Sequence, residues 1–135
     1  MTSDSKISSS RLLDRELVAR ADGEYASRLR LCPLAVGDGH ASVEMPFDPT
    51  IVNRGGRVHG GALASLLFAA ARVAAAASER EESARQVRLL HANVAFLATP
   101  RHGRLVAAAR IVRRGREVAH VTAEAVDETG TPMAS

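Results

Sequence analysis

The stretch Ala62–Ala77 constrains this chain most: it is apolar nearly all round, with Arg72 its one charged residue. A helix of that kind in a water-soluble protein has to be covered on every side. Most of the run is alanine, which adds little insertion energy, and an arginine inside a lipid-facing helix is costly. A buried helix is therefore expected, and no membrane span. Antiparallel strands can curl around one side of such a helix. A single layer leaves the far side wet, so a second copy of the chain is expected to cover it, giving an α+β architecture in a homodimer.

The segment just before the helix reads Asn53-Arg54-Gly55-Gly56-Arg57-Val58-His59-Gly60-Gly61. Backbone N–H groups in a first helical turn lack intrahelical acceptors and lie at the positive end of the helix dipole. An oxygen that gains negative charge is stabilised there, as the carbonyl oxygen does during acyl transfer. Plainer readings stay open. Asn53, Gly55 and Gly56 also fit a tight turn, Gly60 and Gly61 fit close helix–sheet packing, and His59 fits a cap.

Around this centre the patterning places the other elements. A Ser-rich tail at 1–10, without the apolar core of a signal peptide, reads as disordered, and 11–135 as a single domain. An amphipathic helix is expected at about 11–27 and the central helix at about 59–78. Leu29–Val36 and Ala41–Phe47 alternate about Gly37-Asp38-Gly39, a hairpin signal. Strands are further expected at Gln86–Ala98, Arg104–Arg113 and Arg116–Asp127, with a last short run at Pro132–Ser135.

Composition closes off several functions. Aromatics make up only 3% of the chain, and its net charge of +3 is carried almost wholly by arginine. Tyr25, Phe47, Phe68 and Phe96 are scattered and offer no stacking platform, so no nucleic-acid partner is expected. The arginines between Arg101 and Arg116 suit a phosphate-bearing small ligand or, by default, a solvated surface. One cysteine, Cys32, excludes an intrachain disulfide and fits a cytoplasmic location. His40, His59, His91, His102 and His120 show no metal-ligand spacing, and neither a P-loop nor a Gly-x-Ser-x-Gly elbow is present. No metal or cofactor is expected.

With this strand order, the chain resembles hotdog-fold proteins of the PaaI-like acyl-CoA thioesterase family over about Tyr25 to Met133. The resemblance rests on Asn53, then His59-Gly60-Gly61 followed by Leu63, Ser65 and Leu66. Asn93-Val94-Ala95-Phe96-Leu97 before Pro100 and the basic hairpin Arg113-Arg114-Gly115-Arg116 add to it. It implies an antiparallel sheet wrapped around one long helix, in a dimer or tetramer. It also implies that the Gly60 N–H binds the thioester oxygen, with Gly61 beside it in the substrate site. Asn53 would orient the thioester or water, and His59 would shape the loop. Arg113, Arg114 and Arg116 would hold the phosphates of coenzyme A, which enters as part of the substrate.

The chain departs from the family at one point of chemistry. Where the family carries an acidic residue nine positions after the histidine, this sequence has Phe68, which can neither accept a proton nor attack a carbonyl. Four residues on, a small hydroxyl residue is replaced by Arg72. Ser65, Phe68 and Arg72 share one helical face. Phe68 fits a core position or the wall of an acyl pocket. Arg72 fits an ion pair with a structural acid, or a substrate carboxylate or phosphate. Ser65 or an acid from the partner subunit would position water, with Asp48 a weaker candidate. The last strand is short compared with the family's, which would alter a subunit contact. The expected function is hydrolysis or binding of a small-to-medium acyl-CoA thioester; the alternative is a non-catalytic acyl-CoA binding or sensing dimer.

Overall fold

The structure is a computed structural model that describes residues 25–77 and 87–135. The expected tail at 1–10 and most of the helix expected at 11–27 lie outside the described residues. Residues 25–28 are helical, with Ala26 and Leu29 buried against the core.

Five strands form one antiparallel sheet in sequence order: β1 (Cys32–Gly37), β2 (His40–Met45), β3 (Leu105–Arg114), β4 (Ala119–Asp127) and β5 (Pro132–Ala134). The period-two pattern decides which face is inside. Ala41, Val43 and Met45 of β2 are buried, and they pair with Ala109, Ala107 and Leu105 of β3, which are buried too. Ala107 in turn faces Ala125 of β4. Small side chains at these crossings let the helix lie close to the sheet.

That helix, α1 (Gly60–Ala76), falls within the span expected for it, with His59 as N-cap and Ala77 as C-cap. Its buried residues, Ala62, Leu63, Leu66, Leu67, Ala69, Ala70, Val73 and Ala74, face the sheet and its surroundings. The opposite stripe, Ala64, Ser65, Phe68, Ala71, Arg72 and Ala75, is only half-buried. The α+β architecture is thus as expected, and the helix face left partly open is the one that carries Ser65, Phe68 and Arg72. Among the described residues no helix is long and apolar enough to cross a membrane.

The strand expected at Gln86–Ala98 is corrected. Gln86 lies outside the described residues, and among the rest only the end of the run pairs, through Ala95 N–H to Ser135 O (2.7 Å), Ser135 N–H to Ala95 O (3.0 Å) and Leu97 N–H to Met133 O (2.9 Å). The partner, β5, spans three residues and can offer no longer ladder. Leu90 and Leu97 are left 75% and 61% exposed on this segment, and of its apolar residues Val94 packs against the chain's own core.

Candidate functional site

The loop ahead of α1 is closed by an antiparallel bridge between Val52 and Val58. Asn53 organises the turn inside it, its Oδ1 accepting the N–H of Gly55 (2.9 Å) and of Arg57 (3.2 Å). Gly56 supplies the left-handed conformation there, with φ +74°. Of the two roles open to Asn53, its carbonyl oxygen serves the turn; the side-chain amide is what remains for a ligand. The loop is then stitched to the rest of the chain. His59 N–H donates to Ile51 O (2.7 Å), Val58 N–H to Pro100 O (3.0 Å), and the Arg57 guanidinium to Thr99 O (3.1 Å).

His59 caps the helix through Nδ1, which accepts the Gly61 N–H at 3.0 Å. An imidazole that accepts at Nδ1 carries its proton on Nε2, so the ring offers a donor to anything beside the helix mouth. Gly61 is therefore spoken for. A Cβ placed on it would meet His59 Nδ1 at 3.1 Å, so the glycine keeps room for the cap. Gly60 differs. A Cβ there would meet only the Phe96 ring, at 3.6 and 3.8 Å, which is ordinary contact. Helix packing does not require glycine at this position. Among the described residues its N–H has no acceptor, as befits the first residue of a helix.

Ser65, one turn on, donates its hydroxyl to Gly61 O (2.7 Å). That proton is used inside the helix, so toward a water the hydroxyl can only accept. Phe68 is half-buried and packs against the core cluster. Eight residues at 1.5 Å each set Phe68 about 12 Å along the axis from Gly60, and Arg72 about 18 Å. Gly60 and position 68 of one helix cannot both touch one carbonyl group.

At the other end of α1 a cavity of about 300 Å³ brings Arg72, Arg114 and Arg116 together with Leu90, His120 and Val121. The guanidinium of Arg114 donates twice to the carbonyl of Ala75, both at 3.2 Å. A cation on the last-turn carbonyls is favourable there, and the Gly39 N–H caps Ala77 O at 3.0 Å. Arg114 thus has a structural task that its place in a basic hairpin did not reveal. Arg113 lies outside this cavity, at the exposed end of β3.

The arginines between Arg101 and Arg116 do not form one cluster, which corrects the expectation that together they suit one phosphate-bearing small ligand. Ten residues of β3 hold the two groups about 30 Å apart. Arg104 is paired instead with Glu44 across the sheet, at 2.9 Å. Asp48 is also committed: its Oδ1 accepts the Thr50 N–H (2.9 Å) and the Thr50 hydroxyl (2.8 Å), and its Oδ2 lies 3.4 Å from Arg30. The bonds from Thr50, with Arg30 adding to them, hold this carboxyl below its ordinary value. It is a poor general base. Among the described residues no three His, Cys, Asp or Glu side chains are grouped to hold a metal ion.

Two contacts at the site had no signal in the sequence. Phe96 reaches Gly60 from 36 positions away, and Arg57 reaches Thr99 from 42. No periodicity or short motif spans such separations.

Comparison with known proteins bears on this geometry. The acyl-CoA thioesterase N-terminal domain family matches residues 49–135, which include the loop, α1 and strands β3 to β5. The conserved protein PA5202 of Pseudomonas aeruginosa is 30% identical, with 85% of this chain and 90% of that one covered and a TM-score of 0.78. The PaaI protein from the phenylacetic acid degradation operon of E. coli is 20% identical, with 93% of each chain covered and a TM-score of 0.74. A hypothetical thioesterase protein of Streptococcus pneumoniae, solved with coenzyme A, is 17% identical over 77% of this chain and 78% of its own, with a TM-score of 0.67. The last two show likeness of fold alone. No curated protein matches the sequence. From its loop through its last strand, this chain belongs to the acyl-CoA thioesterase N-terminal domain family, and its helix and antiparallel sheet form a hotdog fold.

Proposed function

We propose that the chain is an acyl-CoA thioesterase-like protein that hydrolyses or binds a small-to-medium acyl-CoA thioester, working as a cytoplasmic homodimer or homotetramer. The observation that carries this reading is the Gly60 N–H. It has no acceptor among the described residues, stands at the first position of a 17-residue helix, and belongs to a glycine that packing does not require. A thioester oxygen accepted there gains the helix dipole as charge builds on it. The Asn53 amide and the His59 Nε2–H are the neighbouring donors, and the Ser65 oxygen can accept from a water. The streptococcal relative solved with coenzyme A supports the choice of ligand. Arg72, Arg113 and Arg116 would take its phosphates, with Arg114 held mainly by the helix end.

The 12 Å between Gly60 and position 68 favours a site shared between two subunits. In it, the helix mouth of one subunit would meet the half-buried face of the other's helix. Phe68 at that face favours a second reading, a non-catalytic acyl-CoA binder or sensor. Loss of a general base typically lowers a rate by about 10²–10⁴, so slow turnover remains compatible with the first reading.

Release of free thiol from short, aromatic and long acyl-CoAs, alongside calorimetric binding, separates the two. Turnover above the buffer rate on any member of the panel supports the enzyme. Micromolar binding without turnover supports the binder. Neither signal across the panel overturns both.

A further inference from the structure

Beside the Gly60 N–H stands an aromatic ring that the proposed chemistry has not used. Phe96 is 53% exposed, yet its ring faces Gly60, where an added Cβ would meet ring carbons Cε1 and Cζ at 3.6 and 3.8 Å. Its backbone is held on both sides. The Ala95–Ser135 pair of hydrogen bonds and the Leu97 N–H to Met133 O bond set the register on β5. Arg57 on Thr99 O and Val58 on Pro100 O tie the following residues to the loop before α1. The ring is thus fixed next to the first helical residue while more than half of its surface remains open.

Resting on the acyl-CoA reading of this site, we propose that Phe96 is a specificity-determining residue: an apolar wall that selects thioesters with uncharged acyl groups. A carbonyl oxygen bound to the Gly60 N–H brings the carbons attached to it alongside the phenyl edge. An alkyl or aryl group there removes apolar surface from water on both partners. A carboxylate there loses hydration against a ring that offers it no hydrogen bond. Arg57 in the loop already donates from one guanidinium nitrogen to the Thr99 carbonyl.

Calorimetry with butyryl-CoA and succinyl-CoA tests this, because the two ligands share coenzyme A and differ in the acyl carboxylate. The wild-type protein is expected to prefer butyryl-CoA. Phe96→Ala is expected to weaken butyryl-CoA about tenfold and succinyl-CoA much less, moving their affinity ratio toward one. Phe96→Leu, which keeps an apolar wall, is expected to restore most of the preference. Equal loss for both ligands, or no loss for either, in a variant that melts like the wild type overturns the proposal. So does equal loss accompanied by a smaller particle in light scattering, which assigns Phe96 to a subunit contact. If the wild-type protein binds neither ligand nor any other acyl-CoA, the reading of the site itself fails, and this inference with it.

Discussion

Gly60 occupies the first position of α1, and proline suits that position because its missing N–H has no intrahelical partner to lose. His59 before it already has the extended backbone that a following proline demands, at φ −63° and ψ 133°. Gly60→Pro therefore removes the donor without breaking the helix, and its ring carbons also occupy the space beside Phe96. The variant is expected to keep its melting temperature while acyl-CoA turnover falls by about 10²–10³, as for other single oxyanion donors. Full turnover in a well-folded variant would place the thioester elsewhere. Phe68 gives the complementary experiment. Phe68→Asp sets a carboxylate on the half-buried face of α1 at a cost of about 1–3 kcal/mol in lost burial. Thiol release is expected to rise by about 10²–10⁴ over the wild-type rate if only the base is missing. Residue identity at Asn53, His59, Gly60 and Phe68 was legible from the sequence. What each group has left to offer a ligand was not, because that depends on which donors the turn and the cap consume.

Elements set the scale at which the arginines acquire different tasks. Arg114 closes the C-terminal end of α1 from a strand 39 residues away, and only the fold brings the two together. Arg114→Ala is expected to cost about 1 kcal/mol, several degrees in melting temperature, through the loss of a cation and two hydrogen bonds on Ala75 O. Arg113→Ala, with no such bond described, is expected to leave the melt unchanged. The turn between β4 and β5 gives a pH dependence. Asp127 Oδ1 accepts the Thr129 hydroxyl (2.6 Å) and the N–H groups of Thr131 and Thr129 (3.0 and 2.9 Å). These bonds, the hydroxyl first, hold its carboxyl below the ordinary value of 3.8. A carboxyl depressed in the folded state stabilises fully above the unfolded value and loses that effect as pH falls through the folded one. Melting curves between pH 5 and pH 3 are therefore expected to shift down less for Asp127→Asn than for the wild type. The sheet was readable beforehand because alternation in β2 and β3 names the inward face. The first part of the Gln86–Ala98 run was misjudged: among the described residues only Ala95 to Ala98 find backbone partners, at Met133 and Ser135.

At the scale of the whole molecule, apolar surface remains where one chain has no more core to bury it in. The half-buried stripe of α1 and the exposed Leu89, Leu90 and Leu97 belong to α1 or to the segment that follows it, while Tyr25, Leu34, Val112 and Val118 are exposed elsewhere. Light scattering is expected to give at least twice the chain mass of 14.3 kDa, and Leu90→Glu to shift that mass toward the monomer. A wild-type monomer would remove the shared-site reading, since one helix cannot bring Gly60 and position 68 to the same carbonyl. The alanine-rich run Ala62–Ala77 by itself determined that this helix has to be covered, because a helix apolar all round is buried in a protein that stands in water; the alternating strands around it named a sheet as the cover. The glycines and histidine before it marked the proposed place for a carbonyl oxygen, because helix N-termini present donors whatever surrounds them. Tertiary structure alone decided that Gly61 serves the cap while Gly60 stays open, that Phe96 walls that opening, and that Arg114 belongs to a helix end. Those outcomes rest on contacts between residues far apart in sequence, and they exist only once the sheet has closed around the helix.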